Sequence, residues 1–182
     1  RYGKDDPNVL PYSNKGYQAI VSKFLAARRL VEAGARFVTI SYADFDWHSS
    51  NFKHGKKVIP LLDRAMTALV SDLHERGMQD NVTVVVWGEF GRTPKINANA
   101  GRDHWTKVCC GLLAGGGMKT GQVIGATNKY AEEAVDRPVH FNEVISQIYK
   151  NLRVDPTTTT VDDLTGRPRY LQDEFKPLPE LS

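Results

Sequence analysis

Three stretches of the chain place apolar residues at helical spacing. These are residues 17–31, 58–73 and 141–152, where apolar positions recur every three or four residues. The pattern predicts three amphipathic helices, the first followed by Gly34 at a helix C-cap position and the second ending near Gly77. The polar residues 43–57 between the first two are predicted to form a loop.

Other stretches are β-branched, aromatic or continuously apolar and predict strands. They are residues 36–42 (RFVTISY), 82–87 (VTVVVW) and 108–114 (VCCGLLA), with a shorter strand or hairpin arm at 122–125. Continuous apolar runs are typical of strands covered on both faces in parallel sheets. Residues 1–15 and 155–182, which are rich in Pro, Asp, Thr and Gly, are expected to be an irregular arm and an irregular tail.

The alternation of helices and strands predicts an α/β fold. We expect a three-layer α/β/α sandwich with a mostly parallel sheet, and a single domain over residues 1–182. The strands at 36–42 and 82–87 would then lie side by side. In such sheets ligands bind beyond the carboxyl ends of the strands, so the polar segments that follow these two strands are where chemistry is expected.

Composition narrows the class of protein. The chain has 182 residues, of which 41% are hydrophobic and 25% charged, and its formal net charge is +3. These values are typical of a soluble globular domain. Lys and Arg are scattered rather than arranged in a stripe, so nucleic acid is not an expected partner. Apolar runs also stay well short of the roughly 20 residues that a membrane span needs.

The first candidate segment contains Asp44, Asp46 and His48, directly after the predicted strand at 36–42. A carboxylate and an imidazole are good ligands for Zn²⁺ or a similar divalent ion, and a loop allows Asp46 and His48 to converge on one ion. The same residues would also suit a surface loop in which the aspartates accept hydrogen bonds from the backbone.

Two further segments carry groups of similar chemistry. Glu89 could be a metal ligand and Arg92 could hold an anionic oxygen in bidentate fashion, although a Glu89–Arg92 ion pair would equally organise that turn. His104 is another potential ligand, and Asp103 could bind metal or orient an imidazole. A structural turn packed over Trp105 is the alternative for this last segment.

Several longer strings carry a family resemblance. They are ARRLVEAGARFVTI, DWHSSNF, WGEFGRTPKIN, GRDHW, LLAGGGMKTGQVIGAT and the closing TGRPRYLQD. Together they resemble an uncharacterised bacterial family, domain of unknown function fifteen-oh-one, in the alkaline phosphatase and sulfatase-like superfamily. The resemblance runs from about Tyr2 to the C-terminus.

The resemblance implies a two-metal site and a Ser, Thr or formylglycine nucleophile. Asp46, His48 and His104 look like the ligands of one metal, with Asp44 as an alternative to Asp46. Glu89 and Phe90 stand where the second metal normally has an Asp-His pair, so that site looks weakened. The nucleophile would lie before Arg1, which implies that the chain is the C-terminal half of a phosphatase-like domain and inactive by itself.

The function expected from these observations is metal-dependent hydrolysis of phosphate or sulfate esters by an exported or periplasmic protein. The metal would be Zn²⁺, with Ca²⁺, Mg²⁺ and Mn²⁺ as alternatives, and Arg92 or Arg102 would hold the anionic ester. The N-terminal half of the same protein, or a partner chain, would complete the site. The competing hypothesis is a non-catalytic binding or assembly protein on a degenerate phosphatase-like scaffold.

Overall fold

A computed structural model describes residues 1–5, 21–172 and 176–182 of the chain. These residues form two compact units. The first contains Arg1–Met78 and Glu89–Cys109, and the second contains Gln79–Gly88 and Cys110–Ser182. The helices and strands in chain order are α1 (Ser22–Glu32), α2 (Asn51–Glu75), β1 (Thr83–Val86), β2 (Gly91–Arg92), β3 (His104–Trp105), β4 (Leu112–Gly115), β5 (Ala126–Thr127), β6 (Ala134–Asp136), α3 (Phe141–Asn151), β7 (Thr160–Asp162) and β8 (Pro168–Tyr170).

Both helices of the first unit correspond to predicted ones, with different bounds. The predicted start of α1, at Tyr17 and Ile20, lies outside the described residues. Gly34 follows the end of α1 with a φ of +103°, a left-handed conformation that glycine adopts without a steric penalty. Of the helices in the described part of the chain, none combines the length and apolarity that crossing a membrane requires.

Helix α2 begins seven residues earlier than the apolar pattern indicates. The N–H groups of Ser50 and Asn51 donate to the carbonyl oxygens of Asn99 and Ala100, at 3.0 and 2.8 Å. The first N–H groups of a helix have no partner within the helix, so acceptors from elsewhere in the chain stabilise its first turn. Residues 51–57, predicted to be loop, are therefore helical because of a contact with residues more than forty positions away.

The predicted strand at 36–42 is wrong, because this segment joins no β-ladder among the described residues. Phe37 is 74% exposed. The Tyr42 ring packs edge-on against Phe24 at 5.5 Å, and its hydroxyl donates to the carbonyl oxygen of Val58 at 3.2 Å. The apolar pattern here reflects packing against α1 and α2.

The second unit has helix α3 where the pattern predicts it. The Nδ1 atom of His140 accepts from the N–H of Asn142, and the Glu143 carboxylate accepts from the N–H of His140, which together cap the helix. Strands β1 and β4 pair antiparallel, with Thr83 opposite Gly115. Residues 155–182, expected to be an irregular tail, contain the β7–β8 hairpin and a short 3-10 helix at Pro179–Leu181.

The sheets differ from the expected mostly parallel one. Four two-stranded antiparallel ladders, β1–β4, β2–β3, β5–β6 and β7–β8, account for the named strands of the described residues. Continuous apolar strands such as β1 are equally compatible with short antiparallel pairs, because the pattern reports burial and not strand direction. The three-layer sandwich stays a prediction.

A buried ionic cluster ties α1 to α2 in the first unit. The Asp72 carboxylate accepts from the hydroxyl of Tyr2 at 2.8 Å, from Nε of Arg28 at 2.9 Å and from Nε of Arg76 at 3.3 Å. Asp72 and Arg28 are both buried. Burial acts to raise the pKa of Asp72, but the hydrogen bonds from Tyr2 and Arg76 and the charge of Arg28 outweigh it and lower the pKa.

We predict that Asp72→Ala destabilises the protein by about 3 kcal/mol, since it leaves a buried guanidinium without one of its carboxylate partners. Because the pKa of Asp72 is lowered on folding, its contribution is complete above the unfolded pKa of about 3.9 and is lost as pH falls through the folded value. Urea denaturation at pH 7 and below pH 4 measures this difference. The control is Asp63→Ala on the exposed face of the same helix; an equal effect of both variants would contradict the prediction.

Candidate metal centre

Asp46 and His48 lie on either side of a buried tryptophan. Trp47 is 4% exposed and packs with Val58 of α2. Two consecutive three-residue turns shape the segment, with N–H of Trp47 donating to the carbonyl of Phe45 and N–H of His48 to that of Asp46. Because Trp47 is buried, its two polar neighbours are left facing away from the core.

His104 comes from the β2–β3 hairpin. In this ladder Arg92 is opposite His104 and Gly91 is opposite Trp105. The connecting loop is held by its own hydrogen bonds, including N–H of Thr93 to the carbonyl of Asp103 at 2.9 Å. The hairpin therefore places Arg92, Asp103 and His104 next to one another.

The connecting loop docks onto residues 47–51 through the main chain. Arg102 donates its N–H to the carbonyl of Trp47 at 3.1 Å, and Ser49 and Ala100 form an isolated β-bridge. Gly101 lies so close to this segment that a Cβ atom on it would be 2.0 Å from the carbonyl carbon and oxygen of His48. Only glycine fits there, because it has no side chain to prevent the backbones of residues 101 and 48 from approaching each other.

The donor atoms of Asp46, His48 and His104 converge, as the sequence predicts. The two Nε2 atoms are 3.2 Å apart, and each is 2.9 Å from Oδ1 of Asp46. The three side chains are between 41% and 52% exposed, so the cluster is open to solvent. Asp46 and His48 are more than fifty residues from His104 in the sequence. Packing at the surface does not by itself require their side chains to meet at one point.

Arg92 also reaches the cluster. Its NH1 donates to Oδ1 of Asp46 at 2.6 Å, and its guanidinium lies 5.8 Å from the centre of the Phe90 ring. A hydrogen bond from His104, and next one from Arg92, lower the pKa of Asp46 to about 2. The carboxylate is therefore ionised at neutral pH, as a metal ligand must be.

The other nitrogen of His48 has its own partner. Nδ1 lies 2.8 Å from Oδ1 of Asp103, and the same oxygen accepts from Nδ2 of Asn97 at 3.1 Å. The hydrogen bond to Asp103 raises the pKa of His48, and the hydrogen bond from His48, with a smaller one from Asn97, lowers the pKa of Asp103.

The remaining predicted site residues lie outside the cluster of donor atoms. Asp44 accepts the N–H of Asp46 at 2.9 Å, which is the turn-forming role that the sequence left open for it. Arg102 donates from NH1 to the carbonyls of Thr93 and Pro94, so this part of its guanidinium holds the loop. Glu89 is exposed and is not among the converging donors.

Sequence reasoning missed Asn97. Its Oδ1 accepts from the N–H groups of Asn99 and Gly101, and its Nδ2 also donates to the carbonyl of His48 at 3.0 Å. The string NANAG indicates such a turn, since Asn side chains readily accept from the backbone two residues on. The long-range contact with the carbonyl of His48 leaves no trace in the local sequence.

Phe90 was predicted only as a residue unable to bind metal. Its ring lies 4.5 Å from that of His104, which in turn is 4.9 Å from the His48 ring. Phe90 therefore limits the space available to the His104 imidazole on one side.

The donor set fits a divalent transition metal. Ligand atoms placed about 2.0–2.2 Å from a tetrahedral Zn²⁺ lie about 3.4 Å apart. The separations of 2.9, 2.9 and 3.2 Å are a few tenths of an ångström shorter, a difference that small side-chain rotations can supply. Two imidazoles also favour Zn²⁺ or Fe²⁺ over Ca²⁺, Mg²⁺ and Mn²⁺, which prefer oxygen ligands.

Fold and site together define a protein with a candidate centre of two histidines and one carboxylate. The chain matches the family described as Protein of unknown function (DUF1501) over residues 1–181, and it belongs to that family. Neither a search of curated proteins nor a search of solved structures gave a match.

We predict that Gly101→Ala disrupts the centre, because its Cβ would overlap the backbone at His48. Gly55→Ala is the matched control. Gly55 lies inside α2, where an added Cβ would meet Ile59 and Trp47 at ordinary contact distances of 3.4 and 3.6 Å. We expect Gly101→Ala to lower the melting temperature and Gly55→Ala to raise or preserve it, since Ala in a helix is about 0.5–1 kcal/mol more favourable than Gly. Equal melting temperatures for the two variants would contradict the close approach.

Proposed function

We propose that this protein is a metal-dependent hydrolase of phosphate or sulfate esters, with a divalent ion held by Asp46, His48 and His104. The observation that carries the proposal is the convergence of their three donor atoms on one point. The superfamily resemblance of the sequence supports the choice of ester chemistry. Three protein ligands leave a coordination position free, as in catalytic zinc sites.

The metal, when bound, would act as a Lewis acid on an ester oxygen and stabilise the charge that develops there. Each protein residue has a separate part. Asp46 is already ionised and offers an anionic ligand, while His48 and His104 would offer imidazole nitrogens. Phe90 restricts one side of His104 by its ring contact at 4.5 Å.

Arg92 is the best-placed side chain to hold the anionic part of a substrate. Its guanidinium is beside the cluster, with NH1 on Oδ1 of Asp46. A guanidinium has five N–H donors, so Arg92 would have further donors to offer an anion on the same side. Arg102 is less suitable, because its NH1 is engaged by two backbone carbonyls.

A second function, non-catalytic binding on a degenerate phosphatase-like scaffold, is favoured by one observation. Phe90 stands where the superfamily resemblance places a ligand of the second metal, and its ring is packed against His104. A protein of this kind would bind a single metal ion or none and would depend on a partner instead of a substrate. Measured turnover separates the two proposals.

We predict that the protein binds a single Zn²⁺ and that His48→Ala or His104→Ala weakens this binding by more than 100-fold. Loss of a ligand should exceed the roughly 10- to 100-fold cost of losing a supporting contact. Competition with a chromophoric chelator measures the affinity. His74→Ala is the control, because His74 is an exposed histidine of α2 outside the cluster.

Hydrolysis of aryl phosphate and aryl sulfate is then measured on this chain and on the product of the full gene. Turnover that requires the metal and is lost in both histidine variants supports the hydrolase. Zinc binding without turnover of either ester in the full gene product supports the non-catalytic alternative. Failure of the wild-type protein to bind any divalent transition metal would reject the metal centre.

A further inference from the structure

We propose that Asp103, itself held by Asn97, is a positioning residue that fixes the orientation and tautomer of His48, so that Nε2 faces the cluster with a free lone pair. This inference rests on the proposed function, because the lone pair of His48 Nε2 would bind the proposed metal ion. The hydrogen-bond geometry from which it follows does not depend on the metal.

The protonation of the His48 ring follows from what each partner can do. An ionised carboxylate only accepts hydrogen bonds, so the Nδ1 atom 2.8 Å from Oδ1 of Asp103 must carry a hydrogen. A neutral imidazole has a single N–H, which leaves Nε2 as the acceptor or ligand atom. That atom makes a hydrogen-bond contact of 3.2 Å with Nε2 of His104, which in turn is hydrogen-bonded to the ionised Asp46 at 2.9 Å and therefore carries the hydrogen of this group. Oδ1 of Asp46 is also 2.9 Å from Nε2 of His48, but this contact is an ion-pair distance without hydrogen-bond geometry, so it does not place a hydrogen on Nε2.

Asn97 makes this contact specific. Its Nδ2 donates both to Oδ1 of Asp103 and to the carbonyl of His48, at 3.1 and 3.0 Å. The amide is fixed in turn, because Oδ1 accepts two N–H groups of its own loop, from Asn99 and Gly101. The carboxylate and the backbone of His48 are therefore tied to one amide, which sets the direction from which Asp103 approaches the ring.

Supporting carboxylates of this type are common behind metal-binding histidines, where they fix the ring and increase its basicity. The Asp103 carboxylate is hydrogen-bonded to Nδ1 of His48, on the side of the ring away from the cluster, so it acts by positioning a ligand. Asp103 is a less suitable ligand of the same ion, because its Oδ1 is hydrogen-bonded to Nδ1 of His48, whereas the cluster is at Nε2 on the opposite side of the ring.

The first test needs no metal and no variant. Long-range ¹H–¹⁵N spectra of the metal-free protein, recorded at a pH where the His48 ring is neutral, distinguish the two tautomers. We expect the hydrogen on Nδ1, whereas free imidazole side chains in water favour it on Nε2. A hydrogen on Nε2 of His48 in the wild-type protein would overturn the inference.

The second test compares Asp103→Asn with Asp103→Ala. Both variants remove the charge, but Asn keeps an oxygen that can accept from His48 and from Asn97. We expect Asp103→Ala to release the Nδ1 tautomer and lower the Zn²⁺ affinity by about 10- to 100-fold, and Asp103→Asn to keep the tautomer and lose less affinity. Equal tautomer populations and equal affinities in the two variants would show that only the charge matters and would overturn the positioning role.

The outcomes separate this inference from the function on which it rests. If the wild-type protein binds no metal, the proposed hydrolase centre fails, and the tautomer of His48 in the wild-type and Asp103→Asn proteins decides the positioning role by itself. If Asp103→Ala does not fold, the wild-type spectrum and the Asp103→Asn variant carry the test. Metal binding with the Nε2–H tautomer would reject the positioning role and leave the metal centre in place.

Discussion

The main-chain contact between residues 47–51 and the loop of the β2–β3 hairpin is the interaction on which the candidate site depends. It supplies carbonyl acceptors to the start of α2 and brings the backbone of Gly101 against that of His48. Because backbone groups hold the two segments together, the docking does not rest only on the hydrogen bonds of the Asp46, His48 and His104 side chains. These side chains stay partly exposed and can offer their donor atoms to a ligand.

Hydrogen bonds, and not burial, determine the charge states of the carboxylates around the cluster. A single oxygen of Asp46 faces Arg92 and both histidines, and Asp103 engages His48 from the other side. Two carboxylates and one guanidinium leave this region attractive to a cation, and the two carboxylates carry lowered pKa values. A metal ion entering such a site would not have to displace protons from its carboxylate ligand.

The proposed hydrolase and the non-catalytic alternative share this centre and differ in what surrounds it. In the proposed hydrolase Arg92, beside Asp46, would hold the anion, and this position favours ester chemistry. Phe90 lies where a second metal ligand would be expected from the superfamily resemblance, which favours a reduced site. Family membership does not decide between them, since the family is itself described as one of unknown function.

The sequence by itself predicted the helices and, through the family resemblance, named Asp46, His48 and His104 among its candidate metal ligands. Helical spacing is a local property, so α1 and α3 were predictable, whereas Asp44, Glu89 and Asp103 were candidates of the same chemistry, and only the structure separated them from the three side chains that converge. The start of α2, the absence of a ladder at 36–42 among the described residues, and the antiparallel pairing of β1 and β4 were decided by the tertiary structure. Apolar patterns report which residues are buried, and they do not report which partner buries them. For the same reason Asn97 and Gly101 looked like ordinary turn residues, although their contacts with the distant backbone of His48 build the site.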